Sequence, residues 1–331
     1  MCIRDRDTPV GFPAEPPARL GAPSSGGWQV PRWELLGSSG LTELRRKNGT
    51  VGAAPLPDPP VFEGGVALRG ATSSGAPLVA APGEQLEVAL VWENQGAVQP
   101  RLVPFLQLIQ RQGEAQYRWT SVDREPYGGL YPTDQWQTGS LVGDVYVLDL
   151  PPWLAPGQYE LHAGLYTRDG QQRLALPDGT TTAPAGLVEV TVPTPSAAVH
   201  APDVPIRLDA PMAQSLVLYG QNPIPGQASP GGTVDVTLYW QATEPVSQAY
   251  GLRFDLVPEG ATEPLTTWQR PAVSEDHSTT AWVPGAVVAG WTPLTLPPDL
   301  LPGRYHILVS AASAGEPVSQ QVHLVALEVL E

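Results

Sequence analysis

The chain is poor in the residues that usually announce chemistry: one cysteine (Cys2), one lysine (Lys47), two methionines and five histidines in 331 residues. A single thiol forms no disulfide within the chain, and that excludes neither an oxidising nor a reducing compartment. No run approaches the roughly 18 uncharged apolar residues a membrane helix needs. No charged segment followed by an apolar one opens the chain as a secretory signal would. His-Glu-x-x-His, Gly-x-Ser-x-Gly and phosphate-loop patterns are missing, so no catalytic, cofactor-binding or metal-binding residue is assigned and no cofactor is called for. Positive charge is scarce too: 18 Lys and Arg stand against 33 Asp and Glu, a formal net charge of −15. Such a surface repels phosphate backbones, which argues against nucleic acid as a partner.

What the chain has is a repeat. Trp136 to Tyr159 matches Trp282 to Tyr305 without a gap, identical at 11 of 24 positions. Unrelated segments of average composition would share about one or two. The shared residues are Trp, Gly, Val, Leu, Pro and Tyr. Because no acid, base or nucleophile recurs, the duplicated object is a packing unit.

The 39 prolines and 34 glycines fall below the range of disordered chains and fit turn-dense β structure. Pro82-Gly83 and Pro230-Gly231 each open a strand of period two. Leu86, Val88, Leu90 and Trp92 face one way in the first, and Val234, Val236, Leu238 and Trp240 in the second, so both tryptophans belong on a core face. Leu-x-Leu-Pro-Pro-x-Leu-x-Pro-Gly-x-Tyr then reads in both copies as strand, proline stop, tight turn and strand. Six to eight short strands per copy and no convincing amphipathic helix predict an all-β chain: two tandem antiparallel, immunoglobulin-like β-sandwiches after a proline-rich, mostly irregular N-terminal segment. The expected boundaries are 61–194 and 205–331, with 195–204 as linker and 1–60 as linker plus the remnant of a preceding domain. Within 1–60, Trp33 to Leu36 reads as a short strand, and Leu41 to Leu44 as a strand or a helical turn. Pro104, Pro151 and Pro297 are expected to guard sheet edges. Met1 to Arg6 resembles the translation of a sequencing-library adaptor and is set aside. Asp7 is then expected to be internal to a longer protein.

Ten tryptophans invite a sugar-binding reading, since a flat indole stacks on a pyranose ring. Trp92, Trp240, Trp136 and Trp282 recur in register, and with Tyr159 and Tyr305 they are read as core anchors. Trp153, Trp291, Trp28 and Trp33 have no matched partner. Of these, Trp153 and Trp291, together with Tyr127 and Tyr131, are the candidates for ligand contact, with hydrophobic cover or an interdomain contact as the other reading. The acids Asp123, Glu125, Asp134, Asp144 and Asp149 are dense enough to hold Ca²⁺, but their spacing matches no calcium loop, so a solvated loop is the plainer account. Paired carboxylates for a glycosidase are not marked out. Asn48-Gly49-Thr50 fits a glycosylation sequon and is read as a turn.

From about Val61 to Glu331 the copies resemble the β-sandwich repeats found C-terminal to bacterial multi-pass membrane glycosyltransferases of the protein-mannosyltransferase type. Pro82-Gly83 with Leu86 to Trp92, Pro230-Gly231 with Val234 to Trp240, and the two Leu-Pro-Pro segments carry that resemblance. It implies a non-catalytic, extracytoplasmic structural or interaction module, attached to the cell membrane through upstream sequence, with upstream domains of the same polypeptide as partners. The family's catalytic acids lie in its membrane part, so none transfers to a residue of this chain. The alternative is a carbohydrate-binding or adhesion module that engages cell-surface polysaccharide through loop aromatics.

Overall fold

The structure, a computed structural model, describes residues 19–38, 41–96, 100–170, 172–192, 203–274 and 277–330. The adaptor-like residues 1–6, the linker apart from its last two residues, and Glu275-Asp276 lie outside that set. Among the described residues there is no α-helix, only short 3-10 turns at Pro126–Gly129, Thr133–Gln135 and Thr279–Ala281.

The N-terminal segment forms β1 (Arg19–Leu20), β2 (Trp28–Ser38) and β3 (Leu41–Pro55). The first copy follows as β4 (Val61–Phe62), β5 (Val66–Ala71), β6 (Ser73–Ala80), β7 (Gln85–Asn94), β8 (Leu102–Gln112), β9 (Ala115–Asp123), β10 (Leu141–Asp149), β11 (Gly157–Thr167) and β12 (Ala183–Val190). The second comprises β13 (Ile206–Ala213), β14 (Leu216–Gln221), β15 (Gln227–Ala228), β16 (Thr233–Ala242), β17 (Gly251–Pro258), β18 (Thr266–Pro271), β19 (Val287–Thr295), β20 (Gly303–Ser313), β21 (Glu316–Pro317) and β22 (Val322–Val329).

Each copy is a pair of sheets. In the first sheet β5, β7 and β10 correspond to β14, β16 and β19; in the second, β9, β8, β11 and β12 correspond to β18, β17, β20 and β22. One departure from the antiparallel expectation is itself duplicated, because β6 joins β12 and β15 joins β22 in parallel. Only Thr72 separates β5 from β6. The chain therefore crosses between sheets without reversing, and the crossing strand meets the last strand in parallel.

Between the sheets of each copy lies an apolar core. Trp92 and Trp136 belong to the first and Trp240 and Trp282 to the second, with Tyr159 and Tyr305 in the same positions of each. The Tyr159 hydroxyl donates to the Ala155 carbonyl at 2.7 Å and the Tyr305 hydroxyl to the Leu301 carbonyl at 2.8 Å. Each pins the Pro-Gly turn back onto the strand it launches, as the tyrosine corner of immunoglobulin-like sandwiches does.

Residues 19–55, expected as mostly irregular linker, are a correction. β2 and β3 pair as a hairpin, and Ala54 and Pro55 continue onto Ala71 and Gly70 of β5. The hairpin then covers the outer face of the first sheet, burying Trp28, Val30, Val51 and Ala53 against Ala89, Val91 and Val145. Arg32 fastens it with two guanidinium bonds from Nε to the Glu87 carboxylate, at 3.0 and 2.8 Å. Pro31 sits beside a break in the β2–β3 register, where the missing N–H costs little. Asn48-Gly49-Thr50, read as a turn, lies within β3, with Gly49 at φ +85. Pro104 guards no edge, since it lies in β8 between β9 and β11.

Candidate functional site: the seam between the sandwiches and a cavity in the second copy

Trp153 follows the Leu-Pro-Pro stop of the first copy, and Trp291 stands on the outward side of β19 in the second. The structure brings both to one seam. The Ala289 N–H donates to the Trp153 carbonyl at 2.8 Å, and Leu154 bridges Ala289 in parallel. β19 is the last strand of its sheet, so this contact occupies an edge that would otherwise offer free backbone groups to another strand. The Trp153 ring meets Tyr239 edge to face at 5.6 Å, while Tyr117 stacks on Trp291 at 5.4 Å with the planes 23° apart. Ring pairs of this kind add about 0.5–1.5 kcal/mol beyond the area they bury.

Polar groups fix the register of these rings. Gln112 Nε2 donates to the Trp291 carbonyl at 2.8 Å, and the Trp291 indole N–H donates to the Asp235 carboxylate at 2.9 Å. Asn222 links the copies by donating to the Tyr117 hydroxyl at 3.0 Å and accepting from the Tyr239 hydroxyl at 2.9 Å. Burial pushes the Tyr239 hydroxyl up to about 12, so it stays a neutral donor at any ordinary pH.

Tyr127 and Tyr131 sit elsewhere, in the loop between β9 and β10. Tyr127 has a left-handed backbone (φ 53, ψ 33), costly for a bulky residue and sustained here by its bonds. Its N–H donates to the Asp144 carboxylate at 3.0 Å and its hydroxyl donates to the Gly143 carbonyl. Asp144 also takes a 2.8 Å bond from Arg124, whose guanidinium lies over the Tyr146 ring. Burial raises the Asp144 pKa despite Arg124 and the two backbone N–H groups that face it. Glu125 is engaged by Arg101, which holds its carboxyl below the usual range. Of the acids that suggested a cation loop, Asp144 and Glu125 are taken by guanidinium groups, and Asp149 receives a bond from the Gln85 amide.

Trp291 and Tyr127 are 0% exposed and Tyr131 is 6% exposed, so these three present no face to a ligand. Trp153 is half-buried, with its ring engaged at the seam. The six core anchors are all buried.

Three features escaped the sequence reading. The first is a duplicated polar lock. Thr133 Oγ1 accepts from the Leu102 N–H at 2.7 Å and donates to the Pro100 carbonyl at 2.9 Å; Thr279 Oγ1 accepts from the Tyr250 N–H at 3.0 Å and donates to the Gln248 carbonyl at 3.3 Å. Both threonines stand three residues before a paired tryptophan, and that spacing was the available signal.

The second is a row of Arg111, Glu160, His162 and Thr182. Glu160 accepts from Arg111 at 2.9 Å and pairs with His162 Nε2 at 2.7 Å, while His162 Nδ1 lies 3.2 Å from Thr182 Oγ1. The order acid, imidazole, hydroxyl is that of a proton relay. His162 is 3% exposed, burial lowers its pKa, and neither cavity described below includes it. The row satisfies buried polar groups.

The third is a cavity of ≈ 420 Å³ in the second copy, lined by Tyr250, Gln269, Arg270, Ser274, His277 and Ser278 among others. His277 is 7% exposed, stacks on Trp282 at 6.3 Å, and is held below its usual pKa by burial. A cleft of ≈ 490 Å³ lies where the β8–β9 tip (Gln112, Glu114, Ala115) meets Thr233, Arg270 and Pro293.

No family model matches the chain, and no curated protein matches it. Among solved structures, the transglutaminase of red sea bream aligns at a TM-score of 0.22 with 14% identity, covering 76% of this chain and 30% of that one. The chain thus spans less than a third of that protein, and a likeness so slight bears on neither fold nor activity.

Proposed function

We propose that the chain is a non-catalytic, extracytoplasmic structural and interaction module: a two-sandwich arm belonging to a larger, membrane-anchored protein of glycosyltransferase type. The observation that carries the arm reading is how the outer faces are covered. Each first sheet has apolar outward positions, Ala89, Val91 and Val145 in one copy and Tyr239, Ala289 and Trp291 in the other. The N-terminal hairpin covers the first set, and the preceding sandwich covers the second through Trp119 and Trp153. Each unit is thus capped by the chain before it, the arrangement of a stacked array in which neighbours bury what one unit cannot. The membrane attachment and the enzyme type rest on the sequence resemblance alone. The natural gene upstream of Asp7 tests them: membrane spans in frame support the proposal, and a complete upstream frame without spans overturns it.

Carbohydrate binding through Trp153, Trp291, Tyr127 and Tyr131 is not supported by the burial of three of them.

A further inference from the structure

Of the four described histidines, His162 and His277 are buried, whereas His306 on β20 and His323 on β22 lie on the outward face of the second copy's second sheet. They stand 17 positions apart and form no local motif. A β-bulge brings them together. Ile307 pairs with Val325 and Leu308 with His323, so Leu324 is an extra residue on its strand. In an unbroken ladder Leu324 would oppose Leu308, and His323 would oppose Val309 on the core side. The bulge instead gives the buried side to Leu324 and turns His323 outward beside His306. Gln221, itself buried on β14, donates from Nε2 to the Leu324 carbonyl at 3.0 Å and so holds the bulge. The first copy has the same bulge at Ala185, yet Glu160 and Pro184 occupy the two positions there. The imidazole pair is therefore a property of the second copy alone, and the packing that both copies share does not require it.

His306 Nδ1 and His323 Nε2 face each other at 3.0 Å, with the ring centroids 5.1 Å apart and the planes inclined by 59°. Two neutral rings so placed share one proton, and moving it to the far nitrogen of its ring leaves two lone pairs side by side. The His323 ring is exposed and can turn to aim its lone pair at a shared ion. Imidazole–metal bonds are about 2.0–2.1 Å long, so two at right angles hold their nitrogens about 2.9 Å apart, and two at the tetrahedral angle about 3.3 Å. The 3.0 Å separation matches the right-angle case, the geometry of Cu²⁺ and Ni²⁺ rather than of Zn²⁺. Val257, opposite His306, is buried and gives the pair an apolar neighbour. Arg304, the cation two positions back along β20, is spent on Glu259 at 3.2 Å, and the net charge of −15 favours the approach of a cation.

We propose that His306 and His323 form a two-imidazole chelate for a divalent transition-metal ion of tetragonal preference, Cu²⁺ ahead of Ni²⁺ and Zn²⁺, with water in the remaining positions. The inference is independent of the arm reading, since a rigid scaffold needs no such pair.

The test is a titration of the full chain with Cu²⁺, carried out on Cys2→Ser so that the one thiol does not compete, at a pH of about 7.5, above the ordinary imidazole value. The first equivalent is expected to broaden the imidazole resonances of His306 and His323 before those of the other three histidines, and its electron paramagnetic resonance spectrum to show coupling to two imidazole nitrogens. Mg²⁺, which takes oxygen ligands, is expected to leave those resonances in place. Outer-shell partners alone are worth about 10–100-fold in metal affinity, so His306→Gln and His323→Gln are each expected to weaken Cu²⁺ binding by at least about tenfold. Broadening spread evenly over the histidines overturns the proposal, as does a spectrum with one nitrogen ligand or an affinity that both variants retain. The two spectra are taken with both imidazoles in place, so they test the site however the variants fold.

Discussion

Thr133 and Thr279 show how much one hydroxyl can hold at the scale of a residue. Each satisfies an N–H and a carbonyl of the strand entering the second sheet. Replacing Thr279 by Val keeps the shape and leaves the Tyr250 N–H without that partner, so a loss of about 1–3 kcal/mol is expected in chemical denaturation. Trp92 and Trp240 belong to the other kind of residue, the large apolar anchor. Trp92→Ala or Trp240→Ala is expected to cost about 3–5 kcal/mol, and a parent-like denaturation midpoint for either would mean the strand phase is wrong. Protonation acts at this scale too. Burial lowers the pKa of His162, His277 and His323, so each stays neutral in the folded chain at a pH where the unfolded chain would take up a proton. Their stabilisation is complete above the unfolded value, about 6.5, and is lost as pH falls below it. Glu125 and Glu160, held below their ordinary value, add a second loss at more acid pH. Asp144, raised by burial, works against that second loss because its protonated form is favoured by folding. The melting temperature is therefore expected to fall between pH 7.5 and pH 5.5; a rise would show that these imidazoles are charged in the folded chain.

At the scale of elements, the two copies differ in what covers them. The β2–β3 hairpin lies over the first sheet, and Gly70 is the close approach that admits it: a Cβ there would meet Trp28 Cζ3 at 2.6 Å and the Ala54 carbonyl at 2.7 Å. Trp28→Ala is expected to expose Ala89, Val91 and Val145 and free the hairpin, read as faster amide exchange across residues 46–55 with β16 and β19 unchanged. Exchange that quickens equally in both copies would contradict so local a role. The sequence made the strand phase legible, because Leu86 to Trp92 and Val234 to Trp240 alternate cleanly, and the Pro-Gly turns and paired tryptophans follow from the same pattern. The hairpin was not legible, because Pro31, Gly37 and Gly49 punctuate it as they would a linker. The covered outer faces were hidden as well: Ala89, Val91, Thr237 and Tyr239 read as the solvent side of half-buried strands, yet all four are buried. Alternation reports which side of a strand is more apolar, and it is silent about a second layer on the other side.

At the scale of the whole molecule, the seam decides what the chain is. Trp153 and Trp291 were legible as unmatched aromatics and not as partners, because the contact joins residues that no periodicity connects. Gln112 to Trp291, Tyr117 to Asn222 and Trp153 to Ala289 together tie the tip of β8, the strand β9 and the β10–β11 turn to β19 and to the loop that follows β14 in the second copy. Directional contacts of this kind oppose hinge motion, so the two sandwiches are expected to tumble together. Backbone ¹⁵N relaxation of the full chain tests that most directly. The structure predicts one common rotational correlation time for both sandwiches, and two separate, shorter times in a Tyr117→Ala, Trp153→Ala double variant whose two cores still melt cooperatively. Separate short correlation times in the unaltered chain would contradict the seam.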